Sequence, residues 1–167
     1  YYQDGSRRFY AVEHATAAMI RAAAANFREL GVDGLYTWFL RWPLEDRERS
    51  ILTELGDPEL GKEKDRHYFL RRRSEATDSH DYEAFLPLEI PSASPDRVYQ
   101  IPFAIADDTK NDRVRHVLLR IAVSNLVSAD RLDLRLNDRP LDAEACKRDF
   151  VRRLDPYSGQ WVEVHLE

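Results

Sequence analysis

The spacing of apolar residues divides the chain into two parts near residue 66. Before this point, apolar residues recur at steps of three and four, which indicates helices that bury one face. After it, apolar and polar residues alternate, which indicates half-buried strands of antiparallel sheet. The pattern therefore predicts two domains, residues 1–65 and residues 66–167.

The longest helix is predicted over residues 11–30. Alanine, the strongest helix former, dominates this stretch, and Gly31 supplies a stop. Four consecutive alanines at 22–25 make the helix thin, so that it can approach a sheet closely. The residues predicted to share one face of this helix are Met19, Ala22, Ala23, Asn26, Phe27 and Leu30.

The segment from Gly31 to Pro43 is almost continuously apolar. A run of this kind is typical of a strand buried on both faces, which occurs mainly in parallel sheets covered by helices. We therefore predict a strand over residues 35–40. A helix, a tight turn and a buried strand make half of the repeating unit of an α/β fold such as the (β/α)8 barrel.

A shorter helix is predicted over residues 44–55, with an apolar stripe at Leu44, Ile51, Leu52 and Leu55. Gly56-Asp57-Pro58 ends it, and a brief helical turn follows near residues 59–63.

The second part of the chain is predicted to be antiparallel sheet. Asn137-Asp138 is a turn pair that tolerates positive φ, and the next residues can return the chain. Strands separated by such turn signals favour a β-sandwich. The predicted strands are residues 67–70, 84–90, 98–106, 114–123, 131–136 and 161–166.

Composition narrows the class of protein. Hydrophobic residues make up 43% of the 167 residues and charged residues 33%, as in folded proteins with a charged surface. A formal net charge of −5 argues against nucleic acid as the partner, and no apolar run approaches the ~20 residues needed to cross a bilayer. The absence of an initiator Met leads us to expect that the chain begins inside a longer protein or after processing.

The single cysteine, Cys146, cannot form an intrachain disulfide. We expect it to lie in a short helix or loop over residues 142–149 and to be structural, because no basic helper is fixed beside it. A single cysteine does not indicate the cellular compartment of the protein.

Candidate chemistry lies beyond the end of the predicted strand, because ligands of parallel α/β folds bind at the carboxyl ends of the strands. Arg41 and Trp42 suit a sugar there: an indole stacks on a pyranose and a guanidinium binds its hydroxyls. Trp42 and Trp38 could instead pack between the two domains. Glu13 lies where the chain enters the alanine-rich helix and is a candidate catalytic carboxylate. The alternative for Glu13 is a first-turn glutamate stabilised by the helix dipole.

No metal or other cofactor is predicted. The histidines lack the spacing of metal ligands. The acidic stretch at residues 107–112 could bind calcium, but an acidic hairpin turn is the simpler interpretation.

Several short motifs, in order, resemble one family. Their residues are Glu13 with Ile20-Arg-Ala-Ala-Ala-Ala-Asn26, Gly31-Val-Asp-Gly-Leu-Tyr36, Leu55-Gly-Asp-Pro58 and Lys64-Asp-Arg-His-Tyr68. They are similar to bacterial glycoside-hydrolase-like proteins, which have a TIM barrel and a C-terminal β-sandwich. The resemblance implies that residues 1–65 include the last helix and strand of the barrel. Phe39 stands where the family has an Asn, so a hydrogen bond to substrate is not expected there.

The resemblance implies an α/β plus all-β chain that forms the C-terminal portion of a glycoside-hydrolase-like protein. It would supply an edge of a carbohydrate site and an accessory antiparallel β-sandwich. The expected partners are a carbohydrate and the remainder of the barrel or a companion chain, and the isolated chain is expected to be inactive. The alternative is a non-catalytic carbohydrate-binding or structural β-sandwich module.

Overall fold

The computed structural model describes residues 15–36, 43–70, 86, 88–91, 97–110, 114–126, 129–150 and 159–166. The chain forms two compact units, Tyr1–Asp107 and Asp108–Glu167. The boundary that the sequence predicts, between residues 65 and 66, stays a prediction.

Helix α1 spans Ala17–Glu29. The Thr16 hydroxyl caps it by accepting a hydrogen bond from the Met19 amide at 3.2 Å. At its other end Gly31 has a φ of 81°, and the amides of Gly31 and Val32 donate to the Arg28 and Phe27 carbonyls. This bonding pattern is a Schellman motif, so the predicted glycine stop is confirmed.

The predicted start of this helix at residue 11 is wrong. Residues 15 and 16 are not helical, because the Thr16 side chain satisfies a backbone amide and so favours a helix that begins after it. The predicted stripe is wrong in part: Ala22 is buried and Met19, Ala23 and Asn26 are half-buried, but Phe27 and Leu30 are exposed, and the other buried residue, Ala24, lies outside the stripe.

Helix α2 spans Asp46–Gly56, and a 3₁₀ turn follows at Pro58–Gly61. The Glu45 and Glu48 side chains form a capping box at the start of α2. The elements match the prediction. Of the predicted apolar stripe, Ile51 is buried and Leu44, Leu52 and Leu55 are half-buried. The burial of Glu48 and Glu54 was not predicted.

The second unit contains two antiparallel sheets. The larger has the order β1-β5-β4 and the smaller pairs β2 with β3. The strands are β1 (Val117–Ser124), β2 (Arg135–Leu136), β3 (Arg139–Pro140), β4 (Cys146–Phe150) and β5 (Gly159–Leu166).

Val164, at the centre of β5, is completely buried. It pairs with Leu119 of β1 on one side and with Cys146 of β4 on the other. The predicted alternation along β1 is confirmed, because Val117, Leu119, Ile121 and Val123 are half-buried while Leu118, Arg120 and Ala122 are exposed. Cys146 begins a strand, so the expected helix or loop over 142–149 is wrong beyond residue 145.

The predicted turn between β2 and β3 is confirmed. Asn137 and Asp138 have φ values of 49° and 64°, as two-residue hairpin loops of type I′ require. The flanking strands are shorter than predicted, since only Arg135 and Leu136 of the segment 131–136 are in β2.

Two of the predicted strands are not strands in the structure. Residues 67–70 and 98–106 are fully described and lie in no helix or strand. Both faces of the second segment are open to solvent: Val98 is 78% exposed, and Ile101, Phe103 and Ile105 are also exposed. The segment 84–90 is described only in part, with an isolated bridge at Leu86.

Within the described part of the chain, no helix is long and apolar enough to span a membrane.

Candidate functional site

Helices α1 and α2 run in the same general direction. Near their starts, Arg47 Nη2 of α2 donates to the carbonyl of Ala15 at 2.9 Å. Near their ends, the Arg28 guanidinium of α1 donates to the carbonyl of Leu55. The start of α1 therefore lies beside the start of α2, and the end of α1 lies beside the end of α2.

This orientation constrains residues 30–45, which connect the two helices. The connection must return from the end of α1 to the start of α2. A 13-residue helix is about 20 Å long, a distance that an extended strand of about six residues covers. Gly34, Leu35 and Tyr36 lie outside regular structure, and the remainder of the predicted strand, residues 37–40, lies outside the described residues.

A buried carboxylate joins the helices. The Glu54 side chain of α2, 4% exposed, accepts from Arg21 Nε of α1 at 2.5 Å. Its other oxygen accepts from Lys64 Nζ at 2.6 Å and from Ser50 Oγ at 3.1 Å. We call Arg21, Ser50, Glu54 and Lys64 the Glu54 cluster. Two cations on one carboxylate leave a single positive charge at the junction.

The cluster lowers the pKa of Glu54 from 4.5 to about 2. The hydrogen bond from Arg21 is the main cause, and the bonds from Lys64 and Ser50 add to it, against the effect of burial, which raises the pKa. A carboxylate held ionised in this way is a poor general acid, and both of its oxygens already have donors. The arrangement suits a structural tie better than catalysis.

The chain after α2 returns along α1. Arg21 Nη1 donates to the Asp65 carbonyl at 3.3 Å, and the His67 amide donates to the Ala18 carbonyl at 3.1 Å. The order of these contacts carries residues 65–67 toward the start of α1.

The Asp107 side chain binds two residues of the segment that follows Asp65. Its carboxylate accepts from Arg66 and, at 2.9 Å, from the Tyr68 hydroxyl. Burial and this hydrogen bond raise the pKa of Tyr68. Asp107 thus has a structural partner, and its neighbour Asp108 closes a turn by accepting from the Lys110 amide. Within the described residues, no group of three or more His, Cys, Asp or Glu could hold a metal ion.

The residues that the sequence predicts for the site, Glu13, Trp38, Arg41 and Trp42, all lie outside the described residues. In the sequence, Glu13 is two positions before Ala15, and Trp42 is five positions before Arg47, which donates to the Ala15 carbonyl. Helix α1 begins at Ala17, and both interpretations of Glu13 stay predictions because Glu13 lies outside the described residues.

The apolar pattern of the chain does not predict the Glu54 cluster. Glutamate in an amphipathic helix is normally assigned to the solvent face, and its partner Arg21 lies 33 positions away. The available signal was the i, i+4 spacing of Ser50 and Glu54, which suggests only a local contact.

The second unit contains a cavity of about 200 Å³, lined in part by Leu134, Leu141, Cys146 and Arg148. It is smaller than the roughly 300–1,000 Å³ of most ligand pockets. The Cys146 thiol donates to the Asp142 carbonyl at 3.3 Å, in keeping with a structural cysteine.

Comparison of the chain with protein-family models, with curated proteins and with solved structures found no match.

Proposed function

We propose that this chain is the C-terminal portion of a glycoside-hydrolase-like protein. Residues 1–65 would supply the last helix and strand of an α/β barrel and one edge of a carbohydrate site. Residues 66–167 would form an accessory β-sandwich. Glu13 is the candidate catalytic carboxylate, and Arg41, Trp42 and Trp38 are the candidate sugar-binding residues.

The observation that carries the proposal is the shared direction of α1 and α2. Successive helices of a (β/α)8 barrel run the same way because a strand returns the chain between them. Here the contacts of Arg28 and Arg47 give α1 and α2 the same direction, and the most apolar segment of the chain lies between them in the sequence. An up-and-down helix pair, in contrast, would bring the end of α1 beside the start of α2.

The same geometry supports the location of the site. In barrels, ligands bind at the face where strands end and the following helices begin. In the sequence, Glu13 comes just before α1, and Arg41 and Trp42 come just before α2. Arg47 joins the starts of these two helices. A carboxylate and a sugar-stacking indole on neighbouring loops of one face match what a glycosidase subsite needs.

The test uses Trp42→Ala and Glu13→Ala in the complete protein. If the proposal holds, Trp42→Ala weakens oligosaccharide binding about tenfold or more, as expected for the loss of a stacking aromatic. Glu13→Ala should lower hydrolysis by far more than it lowers affinity. Phe103→Ala is the control, because Phe103 is an exposed aromatic to which the proposal assigns no role in the site. If hydrolysis and affinity survive both substitutions, the two residues have a packing role and the proposal fails.

The isolated 167-residue chain should not hydrolyse glycosides. The proposal assigns the remaining acid–base machinery to earlier strands of the barrel. Assays with activated aryl glycosides should give no turnover above the buffer rate. Measurable turnover by this chain alone would show that its own residues suffice.

The alternative is a non-catalytic carbohydrate-binding or structural β-sandwich module. The separate compact unit Asp108–Glu167, with its antiparallel sheets, is the observation that favours it. Under this alternative, residues 108–167 would retain the sugar affinity of the complete protein, and Glu13→Ala and Trp42→Ala would not change it. Affinity electrophoresis on soluble polysaccharides separates the two functions.

A further inference from the structure

We infer that Arg47 is a positioning residue: its guanidinium sets the spacing between the segment that leads into α1 and the segment that leads into α2. The inference deepens the proposed function and rests on it, because those segments contain the candidate residues of the carbohydrate site. Arg47 itself is assigned no contact with substrate.

The contact that carries the inference joins distant parts of the chain. Arg47 Nη2 lies 2.9 Å from the carbonyl oxygen of Ala15, which is 32 positions earlier. This carbonyl precedes the N-cap Thr16, and the first helical bond of α1 goes to the Thr16 carbonyl instead. The Ala15 oxygen therefore stands outside the helix, and the charged donor on α2 fixes it.

The other cross-helix contacts lie farther along the helices. Arg28 bonds the Leu55 carbonyl at the opposite end, and the Glu54 cluster lies in the last turns of α2. These contacts join the helices at places farther from the start of α2 than Arg47 is. Arg47, in the first turn of α2, bonds the carbonyl of Ala15 just before α1, so its contact lies nearest to both starts.

Arg49 provides a matched control. It is also an exposed arginine in the first part of α2, and its Nε also donates to a carbonyl, at 3.2 Å. Its acceptor is Leu44, five positions earlier, so this bond stays within the start of α2. Arg49→Ala removes the same charge and the same kind of bond without affecting the link to α1.

The first experiment measures the spacing directly. In the complete protein with Cys146→Ser, cysteines introduced by Ala15→Cys and Asp46→Cys are joined with a short bis-maleimide. Arg47→Ala should slow cross-linking about fivefold to tenfold, which corresponds to the loss of one charge-assisted hydrogen bond. Arg49→Ala should leave the rate near that of the parent, and Arg47→Lys, which keeps a charged donor, should restore part of it.

The second experiment measures oligosaccharide affinity in the same variants without the introduced cysteines. Arg47→Ala should weaken binding by a similar factor while the thermal midpoint stays close to that of Arg49→Ala, and Arg47→Lys should recover part of the affinity. Equal cross-linking rates in Arg47→Ala and the parent would overturn the inference. If the parent binds no saccharide, the proposed function fails, and the cross-linking rates alone decide the role of Arg47.

Discussion

Glu54 joins three parts of the first unit through one side chain. Arg21 reaches it from α1, Ser50 from its own helix and Lys64 from the segment after the 3₁₀ turn. Most exposed ion pairs contribute less than about 1 kcal/mol, whereas removing one partner of a buried pair leaves the other without compensation. The Glu54 side chain is 4% exposed, so the carboxylate of the Glu54 cluster is the buried partner of its ion pairs.

Glu54→Gln should lower the free energy of unfolding by about 2 kcal/mol, since it removes the charged acceptor from two cationic donors. Urea denaturation at neutral pH measures the change. Glu59→Gln is the matched control: Glu59 pairs with Lys62 at 2.5 Å but is 70% exposed, so its loss should cost less than about 0.5 kcal/mol. Equal effects of the two substitutions would show that burial of Glu54 contributes nothing.

Acid should weaken the same junction. The pKa of Glu54 is about 2 in the folded chain against 4.5 for an unperturbed group, so the unfolded state binds the proton more readily. The stabilisation is complete above about pH 4.5 and is lost as the pH falls toward 2. Denaturation midpoints measured across this range should converge for the parent and Glu54→Gln. A constant difference between them down to pH 2 would contradict the assigned pKa.

At the scale of elements, Gly31 determines where α1 ends. A φ of 81° lies in the left-handed region, which costs a residue with a Cβ roughly 1 kcal/mol. Among the described residues other than its chain neighbours, none has an atom within 4 Å of the position that a Cβ would take, so the cost is conformational and not steric.

Gly31→Ala should therefore destabilise the first unit by about 1 kcal/mol, as measured by chemical denaturation. Gly56→Ala is a suitable comparison, because that site also has open space around it but has no positive φ. It ends α2, where alanine favours the helix, so it should be neutral or stabilising. A neutral Gly31→Ala would mean that the turn relaxes to another conformation.

The local pattern of the chain predicted those elements whose bonds are local. The helices, the glycine stop and the Asn137-Asp138 turn depend on neighbouring residues, and each was found. The segment 98–106 alternates like a strand but lies in none, and Pro102 at its centre removes a ladder donor. Glu54 was missed because its burial depends on Arg21, a contact that no local pattern contains. The candidate site stays a prediction, because its four residues lie outside the described residues.

At the scale of the whole molecule, large apolar side chains of the first unit remain in contact with solvent. Leu30 is 78% exposed and Tyr36 82%, and Phe27 and Val32 are also exposed. They surround the end of α1 and the start of its return connection. Under the proposed function, the remainder of the barrel or a companion chain would cover them.

Leu30→Lys should leave the stability of the isolated chain within about 0.5 kcal/mol, because a side chain this exposed buries little apolar area. In the same chain it should reduce self-association and the binding of an apolar dye, measured by light scattering and fluorescence. In the complete protein the same substitution should be destabilising by about 2 kcal/mol or more, as for a charge placed in an apolar interface. A small effect there would show that nothing covers Leu30.

The Glu54 cluster also restricts how this sequence can vary during evolution. An acid at position 54 serves two bases, so its replacement by a neutral residue raises the junction from one positive charge to two and leaves both bases without their acceptor. Substitutions at positions 21, 54 and 64 are therefore expected to be inherited together. Relatives with an apolar residue at 54 should also lack Arg21, and a chimera that mixes the two versions of α1 and α2 should fold poorly even though each helix is intact.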